Sequence, residues 1–275
     1  MTGGAEQRQR SRTLRISLAI LAGLMFAGFF ALGTWQVYRL QWKLALIERV
    51  DQRVHAPATL APTVAQWPQV SAEADEYRHV RIEGVYLAGV DTLTLASLER
   101  GIGYWVMTPL CTADGGIVLV NRGFVPAGAG GWRAQPAPPH AAADACGAAV
   151  AAAGNAPPAI VAGLLRVSEK ASSLRQNEPA RNYWFTRDTQ AIAVARGLPA
   201  VAPYFIDADA ASAAAVKLAV PGETAQPVGG LTVVSFVNNH LVYALTWFAL
   251  AAMVAGAAFW VVRDARRKTP EGAPT

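Results

Sequence analysis

The chain has 275 residues, 53% of them hydrophobic, two cysteines and a formal net charge of +5 at pH 7. Such a length accommodates one sizeable domain and two membrane spans, and a net positive charge suggests nucleic acid only when it spreads over a folded surface. Here Arg8, Arg10, Arg12 and Arg15 crowd one terminus and Arg263, Arg266, Arg267 and Lys268 the other, while the charges of residues 39–240 cancel, which leaves no basis for a nucleic-acid partner.

In chain order, residues 1–15 form a short basic tail. Ile16 to Tyr38 follows with 23 residues free of formal charge, enough for a helix of about 34 Å across a hydrocarbon core of about 30 Å. The positive-inside rule places the tail in the cytoplasm. Ala31-Leu32-Gly33 has the small-x-small spacing of a signal-peptidase site. The run nevertheless continues through Trp35 and Tyr38 in the manner of an interfacial aromatic belt, which favours a retained span over residues 16–38. The short arginine-bearing tail reads as bacterial. Trp35, Tyr38, Arg39 and Trp42 recur at offsets of three, four and seven and share one aromatic-basic helical face. On chemistry alone, a belt with snorkelling cations accounts for that face.

The helical pattern runs past Leu46-Ile47, and Pro57, Pro62 and Pro68 mark a linker. Strand patterns then dominate. In Tyr77 to Tyr86, Val80 and Ile82 fall on one face and Arg81 and Glu83 on the other. Asp91 to Ser97, Gly103 to Leu110 and Gly116 to Val125 have the spacing of an antiparallel meander, with Asp114-Gly115-Gly116 as a turn. Residues 127–159 are dominated by Ala, Gly and Pro without apolar period and read as a flexible insertion. Ile160 to Ser168 and Pro203 to Ala208 predict strands, and Asp188 to Leu198 a short helix ending near Gly197. Residues 39–238 are thus expected to form a β-rich α+β domain outside the cytoplasm.

Leu241 to Val262 supplies 22 further residues without formal charge. This predicts a second span over 239–262 and a second cytoplasmic basic tail, 263–275. Asn238, Asn239 and His240 stand at its start, and Tyr243 and Trp247 follow His240 at offsets of three and seven on one helical face. Two readings of His240 stay open. It is a functional polar ring at the edge of a span, or part of an Asn-Asn-His cap for the first free N–H groups of the helix.

Phosphate-cradling glycine loops, a Gly-x-Ser-x-Gly elbow and a His-Glu-x-x-His run do not occur, so no enzymatic activity is expected. Cys111 and Cys146 are 35 residues apart; a disulfide is available in an oxidising compartment, but Cys146 falls in the loose insertion, and the pairing stays open. His55, His79 and His140 read as surface or strand residues. Asp207 and Asp209 alternate along a strand and read as a solvated edge in preference to a carboxylate dyad.

Six stretches, in order, resemble the Surfeit locus protein 1 family: LGTWQVYRLQWKLALI (32–47), YRHVRIEGVY (77–86), VLVNRGFVP (118–126), NYWFTRD (182–188), PYFIDA (203–208) and NNHLVYALTWF (238–248). Phe124 departs from the family, which usually has tryptophan there. The resemblance implies two transmembrane helices flanking the extracytoplasmic domain, in a bacterial inner membrane. It implies a factor that assists assembly of haem-copper cytochrome c oxidase, with the catalytic subunit as partner, haem a synthase as a further partner, and the lipid bilayer around it. It also implies haem a as a transiently bound cofactor, with His240 as the iron ligand. Tyr243 and Trp247 would then lie against the macrocycle, Arg39 and Lys43 would pair with its propionates, and Trp35 would be a further cofactor-binding residue. A scaffold that never touches haem, and a membrane-anchored envelope sensor, are the other readings.

Overall fold

A computed structural model describes residues 3–128, 144–172, 176–215, 226–232, 236 and 238–267. The chain divides into two compact units, Met1–Arg49 with Ser235–Thr275, and Val50–Val234.

The first unit is built on two helices, α1 (Gly3–His55) and α6 (His240–Arg267). Both are long and apolar enough to cross a membrane by length and composition. At 1.5 Å per residue α1 extends about 80 Å, well beyond the 16–38 stretch expected to span. The helices run antiparallel, since Phe29 stacks on Trp247 (centroids 5.7 Å apart), Phe30 meets Phe248 edge-on (5.5 Å), and Gln36 lies opposite His240. Their shielded positions alternate spacings of four and three: Phe29, Gly33, Gln36, Leu40 and Lys43 on α1, and His240, Ala244, Trp247 and Ala251 on α6. That is the spacing of a coiled-coil seam. Gly33 permits the close approach, because a Cβ there would stand 2.7 Å from the Phe248 ring.

The second unit is a closed five-stranded barrel. Its strands are β2 (His79–Tyr86), β4 (Gly101–Cys111), β5 (Ile117–Pro126), β6 (Ala159–Val167) and β7 (Val201–Ala208), hydrogen-bonded in the order β2-β6-β7-β5-β4 and back to β2. Closure removes edges that a five-stranded sheet would leave open. The short strand β1 (Thr59–Leu60) adds parallel to β2, and β3 (Thr92–Leu98) adds antiparallel to β4. β5 and β7 run parallel. Val80, Ile82, Leu110, Val118, Tyr204 and Ile206 are among the residues that fill the barrel. The opposite faces of β4, β5 and β7 carry Met107, Leu119 and Phe205, which pack with Trp184 and Ile192 in a second core. Burial on both faces is why the first half of β5, Ile117 to Val120, reads as a continuous apolar run in place of an alternating one.

Among the described residues four α-helices complete this unit. α2 (Ala72–Asp75) is capped by Ser71, and α5 (Ala210–Ala215) follows β7. α4 (Thr189–Arg196) begins under the Asp188 side chain, which accepts from Ala191 N–H, and ends, where its sequence predicts, at Gly197 in the left-handed conformation (φ +64°). α3 (Ala145–Ala153) corrects the expected insertion. The Asp144 side chain caps it, and Ala145, Cys146 and Ala149 pack on the second core. An alanine helix has too little contrast between its faces to show an apolar period. Cys111 and Cys146 are disulfide-bonded with Cα atoms 5.7 Å apart, so α3 is tied to β4. Residues 129–143 of the expected insertion, and His140 among them, lie outside the described residues.

Candidate functional site

The helical unit brings together some of the residues singled out in its sequence. At the start of α6 the backbone N–H of His240 donates to Asn238 Oδ1 (3.4 Å), and the Asn239 carbonyl accepts from Tyr243 N–H (3.2 Å). Capping therefore falls to Asn238, and the His240 ring is left for another partner. Its Nδ1 lies 2.7 Å from Oε1 of Gln36, a buried amide on α1. An amide oxygen accepts, so Nδ1 is the donor in this pair. That bond fixes the orientation of the ring. Sequence reasoning did not single out Gln36. It is the polar residue facing the seam one turn before Leu40, and only the pairing of α1 with α6 gives that position meaning.

The remaining candidates divide between two faces. Trp247 lies in the seam with His240, stacked on Phe29, whereas Tyr243 is 53% exposed and points away from it. The offset of three that grouped Tyr243 with His240 therefore does not bring it to the seam. Lys43 faces the seam with its ammonium 4.7 Å from the Phe236 ring centroid. Trp35, Tyr38, Arg39 and Trp42 form the exposed face that their spacing predicts, and the Arg39 guanidinium stacks on Trp42 at 4.9 Å. Among the described residues no group of three or more His, Cys, Asp or Glu side chains is placed to hold a metal ion.

In the barrel unit the resembling stretches converge on a polar network. Asp207 is buried, which corrects its reading as a solvated edge. It accepts from Asn121 Nδ2 (2.7 Å), Arg187 Nη1 (3.1 Å) and Arg166 Nη1 (3.2 Å). Arg166 also holds Glu76 (2.7 Å) and covers the Tyr77 ring, and Arg187 also holds Glu169 and covers Phe205. Burial opposes the Arg166 charge, but Asp207 and Glu76 outweigh it and the pKa is raised. Phe124 fills the tryptophan position of the family as a buried ring, edge-on to Trp105 at 5.9 Å.

His79 is likewise no lone strand residue. Nδ1 lies 3.0 Å from the Ala56 carbonyl and Nε2 2.8 Å from Asp209 Oδ2, so the doubly protonated ring suits both partners. Burial lowers its pKa, yet the Asp209 bond, the Ala56 bond and the Asp209 charge together raise it above the ordinary 6.5. A raised folded-state pKa contributes stability that is fully present below the unfolded value and is lost as pH rises through the folded one. His79→Asn should therefore destabilise by about 1 kcal/mol in mildly acidic solution. Urea midpoints of the two proteins should converge as the pH passes above the raised pKa; a gap that stays constant with pH would show that charge plays no part.

A family description, "SURF1 family", matches residues 23–252. Surfeit locus protein 1 of Mus musculus is 33% identical over 263 residues, covering 89% of this chain and 74% of the relative. The Homo sapiens protein of the same name is 33% identical over 241 residues, 81% of this chain and 70% of the relative. A SURF1-like protein of Monosiga brevicollis is 32% identical over 248 residues, 84% and 82%.

Proposed function

The chain belongs to the SURF1 family, and from that premise we propose that it assists assembly of a haem-copper cytochrome c oxidase by holding haem a. The oxidase comes from the family; the observation that carries haem is the His240 ring, fixed through Nδ1 by Gln36, which leaves Nε2 for the iron. The residues present fit the group. His240 would offer a ring nitrogen to the iron, the Phe29–Trp247 stack an apolar wall, and Lys43 a cation for a propionate, whereas Arg39, stacked on Trp42 on the exposed face of α1, lies off the seam. When bound, haem a supplies the redox iron that the oxidase needs. The chain itself binds and orients, and makes or breaks no covalent bond in this reading. Detergent-purified protein expressed with a source of haem a should show a Soret band. Wild-type protein that stays colourless with that source present would favour a scaffold that never touches haem.

The same reading makes α1 and α6 transmembrane helices in a bacterial inner membrane, with the basic tails in the cytoplasm and the barrel unit in the periplasm. Charge asymmetry supports it, since both tails are basic and the charges between the apolar runs balance. A periplasm-active reporter inserted within residues 127–159 should work, and the same reporter fused after Thr275 should be silent. Activity at Thr275 would overturn the two-span arrangement.

A further inference from the structure

Among the described residues of the barrel unit, the two most completely buried guanidiniums both lie about Asp91, one near its carboxylate and the other at its main-chain carbonyl. Arg122 on β5 and Arg196 at the end of α4 are 1% and 0% exposed. Arg122 Nη1 lies 4.0 Å from Asp91 Oδ1, too far for a hydrogen bond, and that oxygen accepts from the Thr108 hydroxyl. Arg196 donates to Thr92 Oγ1 (2.9 Å), Asn182 Oδ1 (2.6 Å) and the Asp91 carbonyl (3.4 Å). Burial pulls the Arg196 pKa down to about 10, and Asp91 is the charge that resists it. Burial pushes Asp91 up, against Arg122 and Arg196. Two cations thus face one anion out of water.

Hydrogen bonding is unbalanced in the same direction. Six buried side-chain polar atoms have no partner among the described residues, and four belong to these three side chains: Arg122 Nε and Nη1, Arg196 Nη1 and Asp91 Oδ2. A fifth is Thr94 Oγ1, on the same face of β3 as the Thr92 hydroxyl that Arg196 reaches. Donors exceed acceptors. Bridging water satisfies lone donors but leaves the surplus positive charge, and an uncompensated buried charge is strongly unfavourable.

We propose that this cluster binds a small monovalent anion, chloride, between the Arg122 and Arg196 guanidiniums. The site neutralises the barrel's buried charge and is independent of the haem reading. Its test is thermal unfolding of the full chain in detergent, with sodium chloride exchanged for sodium gluconate at constant ionic strength. Each tenfold rise in chloride above its dissociation constant should raise the midpoint by about 3–5 °C, and gluconate, too bulky to enter, should have no such effect. Arg122→Met removes the surplus charge and should abolish the chloride dependence. Should that variant fail to fold, wild-type crystals grown in bromide decide the matter by an anomalous peak within about 3.5 Å of both guanidiniums. Equal midpoints in chloride and gluconate, or no bromide between the two arginines, would overturn the proposal.

Discussion

His240→Ala protein should retain no haem a while its expression and membrane insertion stay at wild-type level. In the proposed reading the ring is the iron ligand, and the helix start does not depend on it, because Asn238 Oδ1 accepts from the His240 N–H. The two roles are therefore separable by mutation. Asn238→Ala should cost about 1 kcal/mol of helix stability and leave the haem spectrum unchanged. His240→Asn keeps a polar residue at the helix start and should lose haem as completely as the alanine variant. Gln36→Leu removes the acceptor at Nδ1 and should weaken haem retention by about 10–100-fold, the usual effect of losing an outer partner of a ligating histidine. Purified His240→Asn with wild-type haem content and spectrum would end the ligand assignment and leave His240 a structural residue.

Asp207→Ala is the substitution expected to damage the barrel unit most. It strands Arg166 and Arg187, each largely buried, without the carboxylate they share, and frees Asn121 from its partner. Removing one partner of a buried ionic network costs about 3 kcal/mol or more even where other partners remain, as Glu76 and Glu169 do here. For a unit of this size the midpoint should fall by about 6–12 °C. The exposed pair Arg81–Glu83, 3.7 Å apart on the outside of β2, is the control. Glu83→Gln should change the midpoint little, because solvent screens that pair. Asp207→Ala protein that survives purification should still hold haem a, since Asp207 takes no part in the helical unit. A variant as stable as wild type would show that the network is idle in folding.

Much was legible before any coordinates. The two apolar helices, the strands from β2 to β7 and the end of α4 follow from runs without charge, from alternation and from Gly197 at the right place. These are signals within a few residues along the chain, and the physics behind them is local. The exposed aromatic-basic face of α1 was also legible, since four residues on one helix need no partner to define them. Closure of the barrel was not, because the β2–β4 and β5–β7 pairings join strands far apart in sequence. The disulfide and α3 were hidden by an alanine-rich composition that carries no apolar period.

The functional residues divide in the same way. His240 stood out by itself, as a polar ring at the mouth of an apolar helix. Its partner Gln36 is 204 positions away, and nothing in the composition of α1 marks that amide above its neighbours. Asp207 looked solvated because a carboxylate on a strand usually is; three cations and amides from other strands and loops decide otherwise. Hydropathy and propensity are properties of a segment and can be read from it. Tautomer, ion pairing and burial of a charge are set by which segments meet, and only the tertiary structure decides that.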